Sequence, residues 1–194
     1  YDRNTQMAQI YTVDVATAIA TPVNITPISL VLGPVGVDRL DVTFDFNPTV
    51  DRIRVTCNRD YNYRLNPITG AIAFTEINLN YAVADVNAGA NPYIATGAYT
   101  NSYVGSTSTV LYNVDALLKI VAKQDPPNNG TLNTIGNLGG AVSKSFSSAD
   151  MDIFYDAFSQ TNKTYLTVNS NLEADRLITV DLTTGVGTLV TTNI

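Results

Sequence analysis

One strand–turn–strand unit recurs along this chain, and it limits the possible folds more than any other feature. It reads "IYTVDVATAIATPV" at 10–23, "YRLNPITGAIAF" at 63–74 and "LITVDLTTGVGTLV" at 177–190, with a weaker version, "LYNVDALLKIVAKQ", at 111–124. Each has an apolar-alternating strand, then Asp or Asn, a turn often ending in Thr-Gly, and a second strand. The Asp or Asn positions are Asp14, Asn66, Asp115 and Asp181. They fall roughly 50 residues apart, with a longer last step, which is the period of β-propeller blades and related arrays.

A second unit alternates with the first. "FDFNPTVDRIRV" (44–55) precedes the hairpin at 63–74, and "FYDAFSQTNKTYLTV" (154–168) precedes the hairpin at 177–190. Aligning them sets Asp45 against Asp156, Val50–Asp51 near Thr161–Asn162, and "RIRV" against "YLTV". "AYTNSYVGSTSTVLYNV" (98–114) is a third version. The fold class expected is therefore all-β, a propeller-like array of about four short antiparallel blades in one domain, 1–194. The repeats run approximately over 1–23, 40–76, 93–138 and 149–192, and the first is incomplete because 1–23 supplies only an outer hairpin. Two Asn/Gly/Pro-rich loops, 80–93 and 124–140, separate blades. The best helical window, 147–158, is short and reads equally as a loop running into a strand.

Composition closes off several functions. Only 14% of residues are charged, well below the roughly 25% of an average soluble domain. The polar surface is then mostly Asn, Thr, Ser and Tyr, which suits an extracellular protein or one that packs against copies of itself. The net charge of −6 and scattered Lys and Arg argue against nucleic-acid partners. No apolar run approaches the ~20 residues of a membrane helix. The chain has no histidine, which removes histidine metal sites and Ser-His or Cys-His catalysis. The expectation is a protein that is not an enzyme and has no cofactor. Its single cysteine, Cys57, forms no intrachain disulfide and reads as a small buried strand residue. The chain opens at Tyr1, without Met or signal peptide, on what reads as strand sequence. A processed product of a longer precursor is expected.

Several segments, in order, resemble a family of bacterial secreted proteins of unknown function. They are "FDFNPTVDRIRV", "NYRLNPITGAIA", "NAGANPYI", "AYTNSYVGSTSTVLYNVD" and "QDPPNNGTLNTIGNLG". The resemblance implies a β-rich, propeller-like domain on exported proteins, extracellular or at the cell surface, with no assigned activity. The family's domain opens earlier than Tyr1, with a further hairpin. The resemblance thus implies a first blade short of half its strands. An unpaired sheet edge attracts another strand, so a neighbouring copy is expected to complete the blade. The candidate assembly edge comprises Tyr1, Ile10, Tyr11, Val13, Leu189 and Ile194.

Among candidate sites, Asp41, Asp45 and Asp51 resemble paired carboxylates or calcium ligands, but no Asp-x-Asp-x-Asp-Gly loop accompanies them. Asp41 and Asp45 on one strand face would stand ~13 Å apart. Asp45 reads better as bonding backbone amides, Asn47-Pro48 as starting a turn, and Asp51 as pairing with Arg52 or Arg64. Arg52 and Arg54 alternate with Ile53 and Val55, so an apolar face and an arginine face are expected, the arginines in cross-strand ion pairs or gripping a glycan. The loop Asp125, Pro126, Pro127, Asn128, Asn129 is the candidate interaction loop. Asn24, Asn129 and Asn162 head glycosylation sequons. Tyr61, Tyr63, Tyr99, Tyr103 and Tyr112 suit an interface if exposed and core if buried. Two functions follow: a self-associating structural subunit of a filament or surface layer, or a monomeric surface module binding carbohydrate or protein.

Overall fold

The computed structural model describes residues 1–142, 146, 148–170 and 174–192. It holds seventeen strands: β1 (Met7–Ala8), β2 (Tyr11–Val13), β3 (Ala20–Pro22), β4 (Ile28–Ser29), β5 (Val42–Asn47), β6 (Arg52–Cys57), β7 (Asn62–Leu65), β8 (Ile72–Thr75), β9 (Asn80–Tyr81), β10 (Ile94–Tyr99), β11 (Leu111–Asp115), β12 (Ile120–Gln124), β13 (Thr131–Asn137), β14 (Ser148–Asp156), β15 (Thr161–Asn169), β16 (Arg176–Val180) and β17 (Gly187–Thr192). The protein is all-β, as expected. β5–β8 and β14–β17 form four-stranded antiparallel meanders. β10–β13 forms a third meander, extended by β9, which runs parallel to β13. β1 pairs with β4 and bridges Asp2 through Met7, and β2 pairs with β3.

The recurring turn is built the same way each time. The side-chain oxygen of Asp14, Asn66 and Asp115 accepts the backbone amides two and three residues on, at 2.8–3.1 Å. Asp181 accepts the Thr183 amide at 2.7 Å. The residue four positions after each Asp or Asn is left-handed: Ala18, Gly70, Lys119 and Gly185 have φ of 57°, 68°, 56° and 77°. An acceptor at the first position and a residue tolerating positive φ at the fifth therefore encode the turn locally. Asp156 and Gln160 (φ 53°) repeat it between β14 and β15.

This turn corrects two alignments. Asp156 closes its hairpin as Asn47 closes β5–β6, where Asn47 Oδ1 accepts the Thr49 and Val50 amides. Asn47, not Asp45, is thus the counterpart of Asp156, and Arg54 matches Lys163. The Asp115 turn is also out of phase. It joins the second and third strands of its sheet, whereas Asn66 and Asp181 join the third and fourth. A local signal fixes the turn but carries no record of its place in the meander.

The 147–158 window is strand over Ser148–Asp156, Ser147 lying outside the described residues. Its alternating Met151 and Ile153 bury one face against the neighbouring sheet, which decides against a helix. The loops at 80–93 and 124–140 are only partly loop, since they contribute β9 and β13. Tyr1 is not in a strand. The chain turns over Arg3–Gln6 before β1 begins.

The three meanders stack through their first strands, with β10 packed between β5 and β14. The two junctions differ in chemistry. Between the β10 and β14 sheets lies an apolar core that includes Val114, Val121, Leu138, Ile153, Leu166 and Ile178. Between the β5 and β10 sheets the contacts are polar and centre on Arg54. On its other side the β5–β8 sheet packs Ile53, Val55, Cys57, Tyr63 and Leu65 against Ala8, Leu30 and Leu32 of the N-terminal segment.

Candidate functional site

The charged stretch that stands out in the sequence is dispersed by the fold. Asp41 precedes β5 and pairs with Arg39 at 2.9 Å. Asp45 Oδ2 accepts the Tyr99 amide at 2.6 Å, and its Oδ1 accepts the Phe46 amide, as the backbone-bonding reading expects. Asp51 makes no ion pair among the described residues, and Arg64 pairs with Glu76 instead. Arg54 departs furthest from expectation. It lies opposite Asp45 in register, yet it is 1% exposed and bonds only neutral groups: Tyr99 Oη at 3.1 Å, Asn62 Oδ1 at 2.8 Å and Asn128 Oδ1 at 2.8 Å. There is no exposed arginine face here, because the neighbouring sheet covers this side of β6. A buried guanidinium is tolerated when its donors find acceptors, and these three take one N–H from each of its three nitrogens.

Those bonds also anchor the candidate interaction loop. Pro127 carbonyl accepts from Asn62 Nδ2 at 3.0 Å and Gln124 Nε2 at 2.7 Å. Asn128 is held by Arg54, and Pro127–Asn129 forms a short 3-10 turn closed by left-handed Gly130. Gly130 abuts the carbonyls of Ile77 and Asn78, 2.5 and 2.3 Å from where a Cβ would stand, so no larger residue fits. Asp125 and Pro127 border a pocket of about 370 Å³, with Asn47 and Thr49 from the β5–β6 turn, Tyr99, and Thr107–Leu111. All these turns lie at one end of the two meanders. The sequence reading finds the loop but misses Asn47, Thr49 and Thr107 as its partners in the pocket, since they lie 76 or more positions from Asp125 or on a separate turn of the same sheet.

The assembly-edge residues separate. Tyr11 and Val13 on β2 are 51% and 57% exposed, Leu189 on β17 is exposed, and Tyr1 is exposed in the opening segment. Ile10 does not join them, because it packs half-buried against the core beneath β6 and β7. Ile194 lies outside the described residues. A stripe the sequence reading passes over stands on β5: Val42, Phe44 and Phe46 are 38%, 52% and 52% exposed. Counting back from the equivalent turns, these match Met151, Ile153 and Tyr155 on β14, where Met151 and Ile153 are buried. The strict alternation of Phe44 and Phe46 around Asp45 was the available signal.

Of the sequons, Asn24 and Asn162 have committed side-chain nitrogens, donating to Thr26 carbonyl and Asn101 Oδ1, while Asn129 is exposed. Tyr63 and Tyr99 are buried, Tyr61 and Tyr112 are half-buried, and Tyr103 is exposed against Tyr155. Cys57 is fully buried in β6, and burial pushes its thiol up to about 11. Among the described residues, no helix is long and apolar enough to cross a membrane.

Packed antiparallel meanders, their hairpins closed by capped turns, define an all-β protein built of several small sheets. The chain belongs to a family described as a domain of unknown function, DUF4394, whose model matches residues 4–193. No curated protein matches the chain.

Proposed function

We propose that this chain is an extracellular structural subunit of a bacterial filament or surface layer, completed by a neighbouring copy of itself. The observation that carries the reading is the uncovered stripe Val42–Phe44–Phe46. The N-terminal segment covers β6 and β7 but leaves β5 open. Separately, β2 has a free edge among the described residues. Val23 donates to Ile10 carbonyl at 2.9 Å and Asp14 donates to Ile19 carbonyl at 3.0 Å. The backbone of Ile10, Thr12 and Asp14 therefore faces β3, and that of Tyr11 and Val13 faces outward. A strand of a neighbouring copy would pair with β2, and an apolar surface of a neighbouring copy would cover the stripe. The low charge content and the resemblance to exported proteins support an extracellular setting.

The gain is appreciable. About half of each ring's ~200 Å² is in water, which at ~25 cal/mol per Å² is worth about 2.5 kcal/mol per ring. Light scattering across a concentration series and negative-stain microscopy test the proposal. Oligomers are expected that Phe44→Ser/Phe46→Ser dissociates and Val13→Pro weakens, since proline removes only an outward amide there. Monomers at every concentration would overturn it. So would a native polypeptide in which the double substitution lowers monomer stability, because the stripe is then covered within one chain.

A further inference from the structure

We infer that the pocket between the β5–β6 turn and the 107–111 and 125–127 segments is a binding site for a neutral saccharide. This does not depend on self-association, since every residue involved comes from one copy.

The pocket lies in the ordinary size range for small-ligand sites, at about 370 Å³. Its charge balance selects the ligand. Of the residues that line it, Asp125 alone carries a formal charge, and it is ion-paired with Lys123 at 2.9 Å. An anion would find no cation on the wall to pair with, since the Arg54 guanidinium is buried and bonded to neutral groups. A cation would meet a carboxylate already neutralised, with the Arg54 guanidinium behind Tyr99. A ligand without charge meets neither obstacle.

The wall offers both donors and acceptors that no protein group uses. Asn47 spends its Oδ1 on the Thr49 and Val50 amides and the Thr49 hydroxyl, and its Nδ2 has no partner among the described residues. Thr107 makes no hydrogen bond among the described residues. One carboxylate oxygen of Asp125 remains to accept. Alternating donors and acceptors beside the apolar surface of Pro127 match a sugar ring, which carries hydroxyls at its rim and C–H groups on its faces.

Two parts of the wall are also held in place before any ligand arrives. The Asn47 side chain is locked by its turn, and Pro127 is held by Asn62 and Gln124. Preorganisation of this kind lowers the ordering cost of binding.

Saturation-transfer NMR on the full chain tests the inference, because it reads the sugar and works for monomer or assembly alike. The probes are glucose, N-acetylglucosamine and cellobiose, with glucuronate as the charged control. At least one neutral sugar should show saturable transfer, with glucuronate weaker than glucose. Asn47→Asp keeps the turn acceptor and removes the donor, and Thr107→Val removes one hydroxyl at constant shape. Each should weaken binding about five- to tenfold. No saturable transfer from any of the three sugars would overturn the inference. So would glucuronate binding as tightly as glucose, or affinity unchanged in both variants.

Discussion

Asp115 and Asp181 build the same local turn in different surroundings, so replacing each by alanine separates the worth of the turn from that of tertiary burial. Asp115 is completely buried and its carboxylate accepts four hydrogen bonds. Leu117 and Leu118 amides donate to Oδ1 at 2.9 Å, and Tyr81 hydroxyl and Tyr93 amide donate to Oδ2 at 2.8 and 2.9 Å. Those last two tie β9 and the entry to β10 onto the turn. Asp181 is exposed and serves only its own turn. Hydrogen bonds to a charged group are worth ~1.5–3 kcal/mol each, and buried donors left unpaired pay their desolvation in full. Water replaces the acceptor at an exposed turn. Asp181→Ala should therefore cost ~1 kcal/mol, comparable to losing a helix cap, and Asp115→Ala ~4 kcal/mol. With a urea slope of ~2 kcal/mol per M, the midpoints should fall by ~0.5 M and ~2 M. Circular dichroism during urea unfolding reads both. Asp115→Asn keeps the turn acceptor but loses the Oδ2 contacts, and should lie nearer the alanine variant than wild type. Equal losses for Asp115→Ala and Asp181→Ala, or a wild-type midpoint for Asp115→Asn, would refute the tertiary role given to Oδ2.

Two further outcomes follow from burial. Desolvation, with smaller contributions from Asp152 and Asp150, holds the Asp45 carboxyl above the usual carboxylate range. The folded state then binds this proton more readily than the unfolded chain, so the cost of the ionised group is full above its folded pKa and disappears as pH falls below the unfolded value. Asp45→Asn, whose Oδ1 can still accept the Tyr99 amide, should stabilise the protein more at about pH 7 than at about pH 4; urea midpoints showing the opposite order would exclude this. Cys57, raised from 9.0 to about 11 and fully buried, should react with iodoacetamide at about pH 8 at least 100-fold more slowly in the folded protein than in urea. Comparable rates would show that β6 opens readily.

The capped turns were legible in the sequence because everything they need lies within five residues. Asp14, Asn66 and Asp181 each supply an acceptor, and Ala18, Gly70 and Gly185 each adopt the left-handed conformation that closes the turn. The alternation around them was enough to expect four-stranded units and an open first one. Asp115 shows the limit of that reading. Its turn is correctly found, but its place between the second and third strands depends on β10 and β13, which lie far from it in sequence.

The candidate site was less legible for a related reason. Arg54 reads as a surface arginine because Ile53 and Val55 occupy the alternate positions, and alternation distinguishes two faces without saying what covers each. Packing against β10 buries that second face, and Tyr99, Asn62 and Asn128 are brought to the guanidinium from three separate segments. By itself, the sequence determined the all-β class, the hairpin turns and their approximate spacing, since turn hydrogen bonds and side-chain alternation act between near neighbours. Only the tertiary structure decided which faces are covered, leaving Phe44 and Phe46 open while burying Ile153, and gathering Asn47, Thr107 and Asp125 around one pocket. Burial and convergence are set by contacts between sheets, and no local pattern encodes those.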